Sequence, residues 1–185
     1  MNSITRDPLL AIAKGILWFL MACMVLAAVS CLVAMPLMHI YQGKISIEMA
    51  NEGLHTISTT NFIWAVTAIL ACCVALVLVL FRIFQLLKHI VDTVGLGDPF
   101  VPENARRLTQ MAWLTLAVQL VTIPIGSLGV WIASIVNKSG SVHTQIDNVG
   151  VGLSGNGVLL VLILFILARV FRQGAAMRDE LEGTV

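Results

Sequence analysis

The residues whose types and spacing come closest to a chemical site form a glycine-rich string at positions 150–155, which reads GVGLSG. It matches the G-x-G-x-x-G fingerprint, in which glycines let the backbone approach the pyrophosphate of a dinucleotide. That fingerprint also needs a preceding strand, a following crossover helix and an acidic residue about 20 positions further on. Here an apolar run follows the string, and position 175 is Ala. We therefore expect no dinucleotide here and no cofactor in the protein.

The four cysteines and four histidines are the residues that a metal or redox centre would use. No two cysteines have C-x-x-C spacing, and all lie within apolar runs: Cys23, Cys31, Cys72 and Cys73. We interpret them as small apolar side chains, with a redox or metal pair of Cys23 and Cys72 as the alternative. The histidines lie outside the apolar runs and far apart: His39, His55, His89 and His143. This distribution favours solvated residues over a metal or pH-sensing site, so the sequence predicts no metal.

The sequence also lacks the residues of a catalytic mechanism. It contains no H-E-x-x-H or Walker arrangement, and its long apolar runs hold none of the charged residues that mark function inside a membrane. We therefore predict that the protein is not an enzyme and has no catalytic residues.

One uncharged polar residue, Gln119, lies within an apolar run shortly before Pro124. Because proline has no N–H group, Pro124 is predicted to kink its helix. Gln119 would be either a polar point in a permeation path or a hydrogen-bonding residue that contacts a neighbouring helix, and we favour the second interpretation.

Stretches long enough to cross a bilayer must position all of these residues. The chain of 185 residues is 58% hydrophobic and only 11% charged, with a mean hydropathy of +0.95. A hydrocarbon core about 30 Å thick is crossed by a helix of roughly 20 apolar residues, since every backbone polar group must pair within the segment. The sequence therefore predicts an all-α membrane protein, a single integral domain over residues 1–185, with four transmembrane helices at 15–37, 62–81, 111–136 and 148–168.

The positions of the basic residues indicate the orientation in the membrane. Nine of the eleven Lys and Arg residues lie before the first helix, between the second and third, or after the fourth. The two other connections hold only Lys44 and Lys138. Because basic residues in short loops mark the cytoplasmic side, both termini are predicted to be cytoplasmic.

Cytoplasmic extensions are predicted for the second, third and fourth helices. Polar residues recur at helical spacing after position 81, so the second helix continues to a break at Gly95 to Gly97. A turn at Asp98 and Pro99 then leads into the third helix, which completes a cytoplasmic hairpin. After the fourth helix, one apolar face predicts an amphipathic tail: Leu167, Val170, Phe171, Gly174, Met177 and Leu181.

A small β-sheet is predicted on the outer side. Between Lys44 and Met49 apolar and polar residues alternate, with Ile45 and Ile47 on one side, which is typical of a strand. The segment 142–151 alternates more weakly and is the candidate partner strand.

Two strings at the hairpin and the tail are the most distinctive in the chain. Residues 92–108 read DTVGLGDPFVPENARRL, and residues 167–174 read LARVFRQG. The pattern G-D-P-F-x-x-x-N-x-x-R-L with R-V-F-x-x-G resembles that of the bacterial membrane family called domain of unknown function 2975, and the resemblance covers nearly the whole chain. It implies a four-helix protein of the bacterial inner membrane. Members often lie beside small helix-turn-helix regulators, which implies a link to transcriptional signalling.

The residues of these strings form the predicted interaction or structural site: Asp92, Gly97, Asp98, Pro99, Phe100, Asn104, Arg107, Arg169, Phe171, Arg172 and Gly174. We expect Asp98 to cap backbone N–H groups of the turn, Phe100 to anchor in the membrane interface and Asn104 to form hydrogen bonds across the hairpin. The arginines of the strings are expected either to bind anionic lipid or to pair with Asp92, Asp98 or Glu103. A purely topological and folding role is the interpretation that we favour for them.

Two functions follow as hypotheses. The first is a non-enzymatic regulatory or signalling protein whose cytoplasmic hairpin and tail bind a soluble partner, such as a helix-turn-helix regulator, without direct contact to nucleic acid. The second is a small transporter or channel subunit, in which Gln119 would be a polar point of the permeation path and several copies of the chain would assemble into a homo-oligomer. In both cases the lipid bilayer is the first partner.

Overall fold

The computed structural model describes residues 8–51, 58–138 and 154–182. These residues form five α-helices and no strand: α1 Pro8–Ile40, α2 Gln42–Asn51, α3 Thr59–Gly95, α4 Pro102–Lys138 and α5 Gly155–Glu182. All except α2 are long and apolar enough to cross a membrane. The prediction of an all-α protein with four such helices is confirmed.

The two central helices are longer than a bilayer requires. α3 and α4 each have 37 residues, which corresponds to about 55 Å, whereas a hydrocarbon core measures about 30 Å. α3 passes without a break from its apolar part into the polar segment 82–95. α5 likewise runs on from its apolar part to Glu182, while the predicted start of the fourth span at 148 lies outside the described residues.

The predicted outer strand is wrong, because the segment from Lys44 to Met49 lies within helix α2. In a strand Ile45 and Ile47 would share a face. In the structure Ile45 is half-buried and Met49 is buried, whereas Ile47 is 63% exposed. The covered positions are thus four residues apart, as in a helix. The prediction failed because six alternating residues are compatible with the two-residue period of a strand and with the 3.6-residue period of a helix. The proposed partner strand 142–151 lies outside the described residues.

The backbone divides into two compact units. The first takes the described residues of Met1–Met24, Val79–Val118 and Ser154–Val185, and the second those of Val25–Leu78 and Gln119–Leu153. The distinctive strings 92–108 and 167–174 both belong to the first unit. In the second unit the ring of His39 meets that of Trp64 edge-on, with 5.7 Å between centroids.

A Schellman motif ends α3, as its hydrogen bonds show. Gly97 has a φ of 84°, which glycine adopts without the steric cost of a Cβ atom. The N–H of Asp98 donates to the carbonyl oxygen of Thr93 over 3.2 Å, and the N–H of Gly97 donates to that of Val94 over 3.0 Å. These bonds satisfy the last carbonyl groups of the helix and reverse the chain. The predicted break after Gly95 is confirmed.

The glycine-rich string has a structural role at its described end. Ser154 is the N-cap of α5, because its side-chain oxygen accepts a hydrogen bond of 3.1 Å from the N–H of Gly157. Gly155 is the first helical residue. Positions 150–153 lie outside the described residues.

Candidate functional site

The candidate site lies in the first unit and comprises two segments. We call residues 92–108 the hairpin end and residues 169–182 the tail. An apolar cluster of Ile90 on α3, Leu108 and Met111 on α4, and Ala168 on α5 joins the three helices beneath these segments. The hairpin end and the tail therefore both adjoin this apolar cluster.

Phe100, in the turn of the hairpin end, packs against the tail. The centroid of its ring lies 5.4 Å from that of Phe171, with 42° between the ring planes. A Cβ atom added at Gly174 would lie 2.7 Å from Phe100 Cδ1. Two carbon atoms cannot approach so closely, so the ring occupies the space that any side chain at position 174 would need. Glycine at 174 is what lets the turn touch the tail.

Asn104, at the start of α4, is completely buried and fully hydrogen-bonded. Its Nδ2 donates to Thr93 Oγ1 over 2.7 Å and to the carbonyl oxygen of Pro99 over 3.0 Å. Its Oδ1 accepts a bond of 2.7 Å from the Arg107 guanidinium. The Thr93 hydroxyl donates in turn to the carbonyl oxygen of Ile90, which leaves its oxygen to accept from Asn104. One buried amide thus connects the end of α3, the turn and the start of α4.

Two ion pairs attach other parts of the chain to the hairpin end. Asp98 pairs with Arg178 of the tail, and Asp92 pairs with Lys14 of α1 over 2.8 Å. All four side chains are about two-fifths exposed, and exposed pairs contribute at most about 1 kcal/mol each. These pairs therefore orient α1 and the tail more than they stabilise them.

Three arginines of the first unit remain without such contacts. Arg106, Arg169 and Arg172 are exposed, and none forms a hydrogen bond or ion pair with another described residue. By contrast, Lys88 lies over the Trp18 ring at 4.5 Å, and Arg82 donates to Gln85 over 2.9 Å. Among the basic side chains described in the first unit, these three arginines are available to an outside ligand.

These arginines line two grooves between α4 and α5, and Arg172 lines both. The groove nearer the apolar spans, here the span-proximal groove, has a volume of about 460 Å³ and is lined by Thr109, Phe165, Ala168, Arg169, Arg172 and Gln173. The other, the distal groove, has a volume of about 390 Å³ and is lined by Pro102, Ala105, Arg106, Arg172, Ala175, Ala176 and Asp179. The span-proximal groove is suited to an anion. The distal groove is lined by both positive and negative charges and by three alanines.

The expected roles of the site residues are met in part. Asn104 does reach across the hairpin to Thr93. The carboxylates of Asp92 and Asp98, however, pair with Lys14 and Arg178, and no pairing with the arginines of the two strings is found in the described chain. The side chain of Asp98 is thus directed to the tail, not to the N–H groups of its own turn.

Sequence reasoning did not identify three contributors: Lys14, Thr93 and Arg178. Arg178 lies one helical turn after Gly174, a spacing that could have indicated a shared face. Lys14 and Thr93 carry no such signal, because their partners are set by how the helices pack.

The predicted apolar face of the tail is only partly correct. Phe171 and Gly174 face the hairpin end, but Val170 is 51% and Met177 is 61% exposed. The buried position beyond Phe171 is Ala175, which the prediction omitted. Small residues let helices approach closely, so alanine rather than the largest apolar side chain marks the contact.

Other candidate ligands do not form a cluster. Among the described residues no three His, Cys, Asp or Glu side chains are placed to hold a metal ion, and none of the four cysteines is in a disulfide. Gln119 is 5% exposed and lies in the second unit. The absence of a cofactor stays a prediction.

The fold and the site define a class: an all-α protein with four helices of membrane-spanning length and a polar hairpin that packs against a helical tail. The chain belongs to the family described as Protein of unknown function (DUF2975), whose sequence profile matches residues 4–185. The resemblance drawn from the two strings is therefore confirmed. Neither the curated proteins nor the solved structures contain a match to the chain.

Replacing Gly174 by alanine should loosen the contact between turn and tail. The added Cβ would lie 2.7 Å from the Phe100 ring, and overpacking of this kind costs about 1 to 3 kcal/mol. This exceeds the gain of about 0.5 to 1 kcal/mol that alanine brings to a helix. We expect a lower midpoint of thermal unfolding for the purified protein in detergent.

The matched control is Gly15→Ala in α1, where an added Cβ would meet nothing within 4 Å. Its unfolding midpoint should stay the same or rise. The double variant Gly174→Ala with Phe100→Leu should recover part of the loss, since the ring is removed. Equal effects of the two glycine substitutions would disprove the proposed contact.

Proposed function

We propose that the protein is a non-enzymatic regulatory protein of the bacterial inner membrane that binds a soluble protein partner through the distal groove. The observation that carries the proposal is that the hairpin end and the tail hold each other in place and leave this groove open. Two contacts join the hairpin end to the tail: Phe100 packs against Gly174, and Asp98 pairs with Arg178. By contrast, Arg106 and Asp179 form no bond with another described residue.

The lining of the distal groove suits a protein ligand. The exposed Ala176 lies beside the buried Ala105 and Ala175, so no large side chain blocks the groove, and Arg106 and Asp179 supply opposite charges in its lining. Such a distribution recognises a partner by shape and by complementary charges, which control specificity and the rate of association. The resemblance to the family supports a partner of the helix-turn-helix class, held at the membrane and released by a signal.

The proposal requires the hairpin end and tail to face the cytoplasm. It is supported by the nine Lys and Arg residues of the segments on this side.

A topology reporter fused after Val185 tests this orientation. A reporter that is active only in the cytoplasm should be active, and one that is active only outside should be inactive. The same pair of reporters fused within the segment 139–147 should give the opposite result. Activity outside for the fusion after Val185 would contradict the orientation and with it the proposed function.

A photoreactive amino acid at position 176, in place of Ala176, tests whether a soluble protein binds at the distal groove. In native membranes it should crosslink a soluble DNA-binding protein, because Ala176 lines the distal groove. Charge reversal by Arg106→Glu or by Asp179→Lys should lower the recovered adduct about tenfold, which corresponds to about 1.4 kcal/mol of binding.

Two controls accompany this experiment. The same photoreactive residue at Ile47, which is exposed on α2, should give no such adduct. Lys44→Glu, also on α2, should leave the adduct at Ala176 unchanged. No adduct at Ala176, or one that persists in both charge-reversal variants, would refute partner binding at this groove.

A small transporter or channel subunit is the alternative function. Its support is Gln119, a polar side chain that is buried within a membrane-spanning helix. Flux of ions and small solutes into liposomes should then exceed the leak of empty liposomes and fall in Gln119→Leu. Leak-level flux for both proteins would remove the transporter alternative.

A further inference from the structure

We propose that the span-proximal groove between α4 and α5 binds the phosphate group of an anionic phospholipid. This site shares only Arg172 with the distal groove, and it does not depend on the proposed function.

The span-proximal groove carries positive charge that is not used inside the protein. Five other basic side chains of the first unit have partners: Lys14, Arg82, Lys88, Arg107 and Arg178. Arg106, which has none among the described residues, lines the distal groove. Arg169 and Arg172, which line the groove, have none among the described residues. Their guanidinium groups are therefore available as two-pronged donors, a geometry that matches the oxygens of a phosphate.

The groove lies at the level along α5 where the charged residues of the helix begin. Arg169 follows directly on the uncharged run 155–168, whose Leu162, Ile163 and Ile166 are about half exposed, as side chains that face lipid would be. Arg169 is the first charged residue of α5, so the uncharged part of the helix ends there. Arginines at that level extend to the headgroups, where anionic lipids concentrate.

The lining of the groove is amphipathic. Phe165 and Ala168 form the end of the groove nearer the spans, and Arg169, Arg172 and Gln173 form the other end. The Thr109 hydroxyl donates to the carbonyl oxygen of Ala105, so the donors that remain are the two arginines and the Gln173 amide. An apolar end joined to an anion-binding end fits a phospholipid, which has an acyl chain next to its phosphate.

A soluble acidic segment fits the groove less well. To reach Arg169 it would have to enter beside Phe165, at the level of the lipid-facing side chains. Charged protein groups are costly to bring to that depth, whereas a lipid is already there.

Native mass spectrometry of the full-length protein in neutral detergent tests the site. The protein is titrated with phosphatidylglycerol, with phosphatidylcholine and with inorganic phosphate. We expect retained phosphatidylglycerol adducts and at least about fivefold weaker binding of phosphatidylcholine, as for one lost charge pair. Inorganic phosphate should give no stable adduct, because it lacks the acyl chains.

Variants then assign the binding to the groove. Arg169→Gln should weaken phosphatidylglycerol binding about fivefold, and Arg169→Gln with Arg172→Gln about 25-fold. Arg82→Gln removes the same charge at the start of the polar part of α3, outside the groove, and should change binding less than about twofold. Arg169→Lys keeps the charge without the fork, so its affinity should lie between those of Arg169→Gln and the wild type, and it guards against a folding defect.

Three results would overturn the inference. One is equal weakening by Arg82→Gln and Arg169→Gln, which would mean general attraction to charge. Another is equal binding of phosphatidylglycerol and phosphatidylcholine. The last is phosphate binding as strong as lipid binding, which would make the groove a site for a soluble anion. None of these results would affect crosslinking at Ala176, so the two proposals can fail separately.

Discussion

A hydrocarbon interior offers no water to backbone N–H and C=O groups, and the whole protein is built around that constraint. Each chain segment that crosses must pair its polar backbone atoms internally, which only a continuous helix does in a chain of this kind. Four long apolar helices result. At the turn after α3, the N–H groups of Gly97 and Asp98 satisfy carbonyl groups of the helix end.

The same constraint changes what holds the helices together. In water, burying large apolar side chains drives packing, but lipid is as apolar as a protein core, so close approach and a few polar contacts matter more. The buried residues of α4 and α5 include Ala105, Ala112, Ala168 and Ala175, whereas many of the largest apolar side chains of α5 are exposed. Gly174 is the extreme case, since even a methyl group would displace the Phe100 ring.

Outside the apolar parts of the helices, some charged side chains form contacts within the protein and others do not. Lys14 and Arg178 orient α1 and the tail on the hairpin end, and Arg107 completes the hydrogen bonds of the buried Asn104. Arg106, Arg169 and Arg172 take no part in this framework. Cations that take no part in internal contacts are suited to binding, and these three line the two grooves between α4 and α5.

Sequence alone determined the number of long helices, the break after Gly95 and the family, because length, apolar runs and glycine at a positive φ are local properties. It also placed Asn104 in a position to join the two arms of the hairpin. It misassigned the segment from Lys44 to Met49, since six alternating residues satisfy the periods of strand and helix alike.

Only the tertiary structure decided which partners the charges have and which face of α5 is covered. Asp92 has Lys14 as its partner from a helix far away in the chain, and Asp98 has Arg178. Such choices depend on helix rotation and on which small residues permit contact, and neither is encoded by the pattern of apolar and polar residues. In a membrane protein that pattern reports contact with lipid as much as contact with protein, which is why the covered face of the tail had to be seen in three dimensions.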